Sequence, residues 1–226
     1  MKRSDELPFD VNYFARQNNG RKNLNVESKF KFIYETNHWN GNSSLSGQGS
    51  DKKQVEKIID VLPELIKEYN VKSILDIPCG DFNWMQDVDL SEIRYIGADI
   101  VEDIVQTNIA NYSTLNRSFY KLDLINDILP QVDLIFCRDC FVHLSNADII
   151  KSVKNIKLSK SKLLLTTTFT LCNNNVDIAT GDWRILNLNN YPFCFPNPLQ
   201  IINENCTEGN NTYNDKSLGL WLINDL

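Results

Sequence analysis

Beyond residue 50 the chain alternates between two hydrophobic periods. Val55, Ile58, Ile59, Leu62, Leu65 and Ile66 recur at three- and four-residue spacing, which predicts a helix capped by Asp51 and running to about Tyr69. Short apolar runs follow at residues 71–77, 95–100, 118–122, 133–137 and 163–169, the last rich in threonine, and each reads as a strand. Helical spacing fills residues 101–112 and about 146–156. Strands interleaved with helices predict βαβ units. The expected architecture is α/β: a Rossmann-like, mostly parallel sheet with flanking helices, in a single domain. Ligands of such sheets bind beyond the carboxyl ends of the strands.

Both ends of the chain depart from this pattern. Residues 1–50 are polar, rich in Asn, Gly and Ser, and carry isolated aromatics at Phe9, Tyr13, Phe14, Phe30, Phe32, Tyr34 and Trp39. They read as an irregular arm or lid, with one short helix at 28–36, docked on the main domain of residues 51–226. Asn and Pro crowd residues 173–177 and 191–198 and exclude regular interior elements there, so loops are expected over about 170–215. A last strand at 218–223 is expected to pair with the fifth.

A length of 226 residues, 42% hydrophobic and 23% charged, suits one globular domain with a sizeable core. The net charge of −6 counts against a large nucleic-acid footprint, and no nucleic-acid partner is expected. The opening residues turn acidic at Asp5 and Glu6, where a signal peptide would begin its apolar run. No apolar run approaches the ~18 residues of a membrane span, so a cytoplasmic location is expected. The six cysteines (79, 137, 140, 172, 194 and 206) are scattered, and the Cys137–Cys140 pair lacks the second pair that a structural zinc site wants. Reduced thiols and no bound metal are therefore expected.

Candidate chemistry lies at four successive strand ends. Asp76, Pro78, Cys79, Gly80, Asp81 and Phe82 form a tight turn after the first strand, with Gly80 permitting close backbone approach. Asp99, followed by Ile100, ends the second strand about twenty residues on, where a carboxylate can accept both hydroxyls of a ribose. Asp123, followed by Leu124, ends the third and is placed to accept an adenine amino group. Arg138 and Asp139 follow the fourth. Any one strand-end Asp is more often a cap or turn residue, but the four in order define a site.

With these residues the chain resembles the class I S-adenosylmethionine-dependent methyltransferases over roughly residues 70–170 and the terminal strand. The strings Cys79–Trp84, Tyr95–Ile100 and Arg138–His143 are similar to a compact bacterial group often associated with surface-polysaccharide (capsule) biosynthesis. The resemblance implies S-adenosyl-L-methionine as cofactor, S-adenosyl-L-homocysteine as product, and cofactor contacts from the strand-end residues above. The turn departs from the family's pattern: it has one glycine, and Phe82 stands where a small residue is usual. A single glycine beside Asp81 also disfavours a dinucleotide, whose pyrophosphate needs a glycine-rich cradle.

In the arm, Trp39 and the Gly/Ser run containing Ser46 and Gly47 read either as a flexible linker or as a backbone nest for the methionine carboxylate. His143 lies four residues beyond Asp139; on a helix the two share a face, with His143 as base and Asp139 orienting it. The alternative is a His143 that only hydrogen-bonds the cofactor or a loop. Beyond the fifth strand, Asn173 and Arg184 are candidates for the acceptor pocket, Arg184 suiting a phosphate or carboxylate, against the alternative of a solvated surface loop. The Pro-Pro string of enzymes that methylate base or glutamine amino groups is absent after strand four, where Arg138 to Phe141 stand. The expected reaction is methyl transfer to an oxygen of a small polar, carbohydrate-linked or phosphate-type metabolite. A small-molecule or protein N-methyltransferase, or a non-catalytic binding subunit, are the competing readings. The oligomeric state is not legible.

Overall fold

In the computed structural model, residues 7–17 and 24–226 are described; residues 1–6 and 18–23 of the expected arm, with the acidic Asp5 and Glu6, lie outside them. Seven strands form one sheet: β1 (Ser73–Asp76), β2 (Arg94–Asp99), β3 (Arg117–Lys121), β4 (Leu134–Cys137), β5 (Leu163–Phe169), β6 (Gln200–Asn203) and β7 (Lys216–Leu222). Their order is β3-β2-β1-β4-β5-β7-β6. The first five run parallel, and β7 lies antiparallel to both β5 and β6. The expected pairing of the last strand with the fifth is present, from Leu163–Leu222 to Phe169–Lys216.

Alternate strand residues feed two cores, as the two-residue period of a strand requires. Leu75, Ile135 and Leu164 pack on one face with Ile149, Ile156 and Trp221. Ile74, Leu134 and Leu165 pack on the other with Val55, Ile58 and Leu62. The helices are α1 (Tyr13–Gln17), α2 (Val26–Thr36), α3 (Lys52–Glu68), α4 (Glu102–Tyr112) and α5 (Asn146–Leu158). Ser145 caps α5 by accepting the Asp148 N–H, and Asn25 caps α2 by accepting the Ser28 N–H.

Three expectations need correction, and the link from β1 to β2 adds a finding. Asp51 stands at the start of α3, but its carboxylate makes no cap bond; it accepts the N–H groups of Asn42 and Ser43 and so folds the arm back. The arm holds a second helix, α1, whose Phe14 and Ala15 N–H groups donate to Asp182 at 2.7 and 3.0 Å. Strand β6 was not anticipated, because only Ile202 of its four residues is buried. No α-helix joins β1 to β2: Phe82 adopts φ +57° and turns into the core against Tyr95, Tyr112 and Phe119, and a single 3-10 turn, Met85–Asp87, follows.

No helix among the described residues is long and apolar enough to cross a membrane. The strand order reverses beside β1, between β2 and β4. That places the crevice of the sheet at Asp76, Asp99 and Arg138.

Candidate active site

A cleft holding about 1080 Å³ of empty space, its mouth included, opens at that crevice. Its floor is Asp76, Pro78, Cys79 and Gly80 after β1, Asp99 and Ile100 after β2, and Asp123 and Leu124 after β3. Arg138, Asp139 and His143 form the end beyond β4, and Phe30, Ile33, Trp39 and Ser46 of the arm form the roof. The separate strand-end features therefore meet in one place.

Asp76 and Asp99 are both buried. Burial pushes Asp76 up to about 8, although the Tyr95 hydroxyl donates to its Oδ2 at 2.5 Å. Burial likewise pushes Asp99 up to about 6, opposed by the Val101 and Gly80 N–H groups at 2.9 and 3.2 Å. Asp123 accepts the Ile125 N–H and the Asn126 side-chain amide, so it organises its own turn as well as lining the cleft.

The glycine turn is closed by the arm. Gly80 has φ +54°, and a Cβ there would lie 2.2 Å from Ser46 Oγ. Ser46 Oγ accepts the Asp81 N–H, the Leu45 N–H donates to Asp81, and the Asn83 amide donates to the Ser43 carbonyl. Gly47 lies outside the cleft and lines a second, adjoining cavity of about 480 Å³, its mouth included. Trp39, Ser46, Asp139 and His143 belong to the wall between the two.

Behind that wall sits a buried charge network. Arg138 donates to the Gly49 carbonyl and to Glu204 Oε2, each at 2.8 Å, and lies over Trp84. Lys216 Nζ reaches Asp139 at 2.7 Å, Glu208 at 3.3 Å and Glu204 at 3.7 Å. Against the cost of burial, these cations hold Asp139 well below the usual carboxylate range, and the carboxylates hold Lys216 well above the usual amine range. Arg138 Nε is buried without a partner among the described residues.

The expected His143–Asp139 pairing is not formed. Asp139 has φ +50° and His143 sits on a 3-10 turn, Phe141–His143, so the two share no helical face. Asp139 is taken by Lys216 and Thr167, whereas His143 Nδ1 donates to the Asp182 carbonyl at 3.0 Å. Nε2 of this tautomer is an acceptor with no hydrogen bond among the described residues. Burial pushes His143 down to about 4, and it is neutral at pH 7.

Arg184 and Asn173 line neither cavity. The Arg184 guanidinium is buried and donates to the Phe141 and Val176 carbonyls and to Asn146 Oδ1, so it straps the loop after β5 to the turn after β4. Asn173 is exposed. Both differ from the expected acceptor contacts. In their place the second cavity is lined by Trp183, Tyr213, Glu208 and Lys216. Lys216 had one sequence signal: a lone cation at the head of an otherwise apolar strand. The cysteines are free thiols.

No protein-family model matches the chain, and no curated protein sequence is significantly similar to it. Among solved structures it is similar to human N-acetylserotonin methyltransferase in complex with SAM. That match has 13% identity, covers 92% of this chain and 64% of that one, and has a TM-score of 0.56. Magnesium protoporphyrin IX methyltransferase of Synechocystis with bound SAH matches at 13% identity, over 66% of this chain and 72% of that one, with a TM-score of 0.48. A bacterial Hen1 methyltransferase domain matches at 13% identity, over 51% and 66%, with a TM-score of 0.43. The chain thus spans just under two thirds of the human enzyme's length. The likeness defines the fold: the Rossmann-like fold of the class I methyltransferases.

Proposed function

We propose that the cleft binds S-adenosylmethionine and that the chain transfers its methyl group to an oxygen of a small polar acceptor. The observation that carries this reading is the meeting, in one cleft, of Asp76, Gly80, Asp99, Asp123 and a neutral, oriented His143.

The residues fit the group. Asp99 suits the ribose hydroxyls, Asp123 and the Leu124 backbone suit the adenine edge, and Ile100 suits its faces. Arg138 Nε, a buried N–H that has no partner, suits a carboxylate. Asp76 suits an ammonium, whose charge would draw its carboxyl to the ionised form.

When bound, the cofactor supplies a methyl already activated on a sulfonium. The chain has then to bring the acceptor into line and exclude water, which the arm's roof over the cleft does. His143 Nε2, with Nδ1 committed to the Asp182 carbonyl, would take the proton that a hydroxyl acceptor gives up on receiving the methyl. Carried over from the sequence resemblance, the acceptor is a sugar hydroxyl or a phosphate-type oxygen of a surface-polysaccharide precursor, handled in the cytoplasm.

Calorimetric titration with S-adenosylhomocysteine tests the reading. Binding is expected, and Asp99→Ala is expected to weaken it by ~1–3 kcal/mol through lost charge-assisted hydrogen bonds. No binding to the parent chain, or undiminished affinity in the variant, overturns it.

A further inference from the structure

We infer that the second cavity is the acceptor pocket and that it takes an uncharged or amino-bearing hydroxyl compound of sugar size, excluding acceptors that are anionic near the reacting oxygen. This inference rests on the cofactor reading of the cleft and chooses between the two acceptor types left open there.

The cavity's position is the first argument. It adjoins the cleft across Trp39 and His143 and ends at Asp139, Glu208 and Lys216. His143 is 7% exposed, lines both cavities and turns its Nδ1 edge to Asp182, so its free acceptor Nε2 is left for a ligand. A hydroxyl donated to that nitrogen lies at the wall through which the methyl has to pass.

Hydrogen-bonding capacity is the second. An ammonium has three protons, and Lys216 has three carboxylate neighbours, Asp139, Glu208 and Glu204. Two of those protons are bonded, to Asp139 and Glu208, and Glu204 stands 3.7 Å away, so an incoming anion would have to approach among three carboxylates for the one remaining donor. The Arg138 terminal nitrogens face Glu204, Asp139 and the Gly49 carbonyl, and Arg138 lines the cleft but not this cavity, so its remaining Nε donor serves the cleft. The cluster sums to two cations and three carboxylates, a net charge of −1 in a buried setting. Glu208 keeps Oε1 uncommitted among the described residues, while Oε2 takes Lys216 and Cys206. The polar end of the cavity thus offers acceptors, Glu208 Oε1 and His143 Nε2, and asks for donors. A phosphate or carboxylate brings only acceptors and a repelled charge.

The walls give the third. Trp183 meets Tyr213 at 5.1 Å and Phe169 at 6.3 Å, both edge to face, and makes an aromatic corner. Such a corner packs the C–H face of a sugar ring while its hydroxyls turn to the polar end. Gly49 keeps that end open, because a Cβ there would lie 2.8 Å from Asp139 Oδ2 and 3.2 Å from Lys216 Nζ.

The test uses the full chain, saturated with S-adenosylhomocysteine, and the fluorescence of the tryptophans at the cavity as readout. D-glucose, D-glucosamine and D-glucuronate are titrated as probes of one ring with three charges. Glucose and glucosamine are expected to bind at least tenfold more tightly than glucuronate. Glu208→Gln, its folding checked by thermal melting, is expected to narrow that ratio to threefold or less. Equal or tighter binding of glucuronate overturns the inference, and so does binding of none of the three. Selective sugar binding without any calorimetric signal for S-adenosylhomocysteine leaves the pocket standing and sinks the cofactor reading instead.

Discussion

The indole of Trp39 lies on the imidazole of His143, ring centroids 4.0 Å apart and planes 23° from parallel. The arm thereby covers the one histidine placed between the two cavities, and that cover is part of what buries it. Trp39→Ala is expected to admit water and raise His143 from about 4 towards the ordinary value near ~6.5. The chain has two histidines, so NMR titration of the variant, with His38→Gln to assign the signals, reads this directly. An unmoved His143 titration would show that the indole does not govern its solvation.

The Lys216 network makes a stability prediction. Lys216→Met leaves half-buried Asp139 and buried Glu204 with Arg138 as their one remaining cation among the described residues, and breaking a buried pair in this way costs about 3–5 kcal/mol. Urea denaturation measures the loss. Lys31→Ala, which breaks an exposed pair with Asp103, is the control expected to change little. Similar midpoints for the two variants would contradict the network's role.

The floor of the cleft was legible in the sequence because its residues sit at strand ends, where apolar runs stop at Asp76, Asp99 and Asp123. Strand-end position and residue type are local signals. The region beyond β5 was not legible, because its residues are fixed by contacts distant in sequence. Arg184 read as a solvent-facing anion binder, yet carbonyls as far as 43 positions away bury it. Asp182 carries no local signal, yet it caps a helix 168 positions back and its carbonyl orients His143. The path of the chain after β1 was not legible either, because it depends on the Phe82 ring finding space beside Phe119 and Tyr95. Four-residue β6 has too few buried positions to show a period.

Asp76 sets a pH dependence of stability in the ligand-free chain. Its folded value is raised to about 8, by burial first and also by Asp99, against the lowering from Tyr95 and Arg138; the unfolded value is ~3.9. Between these values the folded chain holds a proton that the unfolded chain has lost. The stabilisation is complete below ~4 and disappears as pH rises through about 8, at up to about 1.4 kcal/mol per pH unit. Asp76→Asn removes this slope. Urea midpoints at pH 5 and pH 8 should therefore converge in the variant relative to the parent chain. Parallel pH profiles would mean that Asp76 is ionised throughout.

His143 decides whether proton removal belongs to the reaction. A hydroxyl loses its proton as it attacks, and a positioned base contributes 10²–10⁴-fold, so His143→Ala is expected to cut the rate at least ~100-fold with little change in cofactor affinity. An unperturbed histidine would put the acid limb of the rate near ~6.5. Burial moves it to about 4, opposed by the Asp182 carbonyl and Asp139 and reinforced by Arg184 and Lys216. The rate should therefore hold from neutral pH down to the point where Asp99 protonates near 6 and cofactor affinity falls. At saturating cofactor it should persist towards 4 before His143 itself protonates. The separation of the two limbs is the informative part: kcat follows His143, and kcat/KM for the cofactor follows Asp99. A variant that loses cofactor binding and rate together would make His143 a wall of the cleft. A variant that loses neither would leave the acceptor oxygen already ionised, and the acceptor would then be the phosphate-type compound that the second cavity's charge argues against.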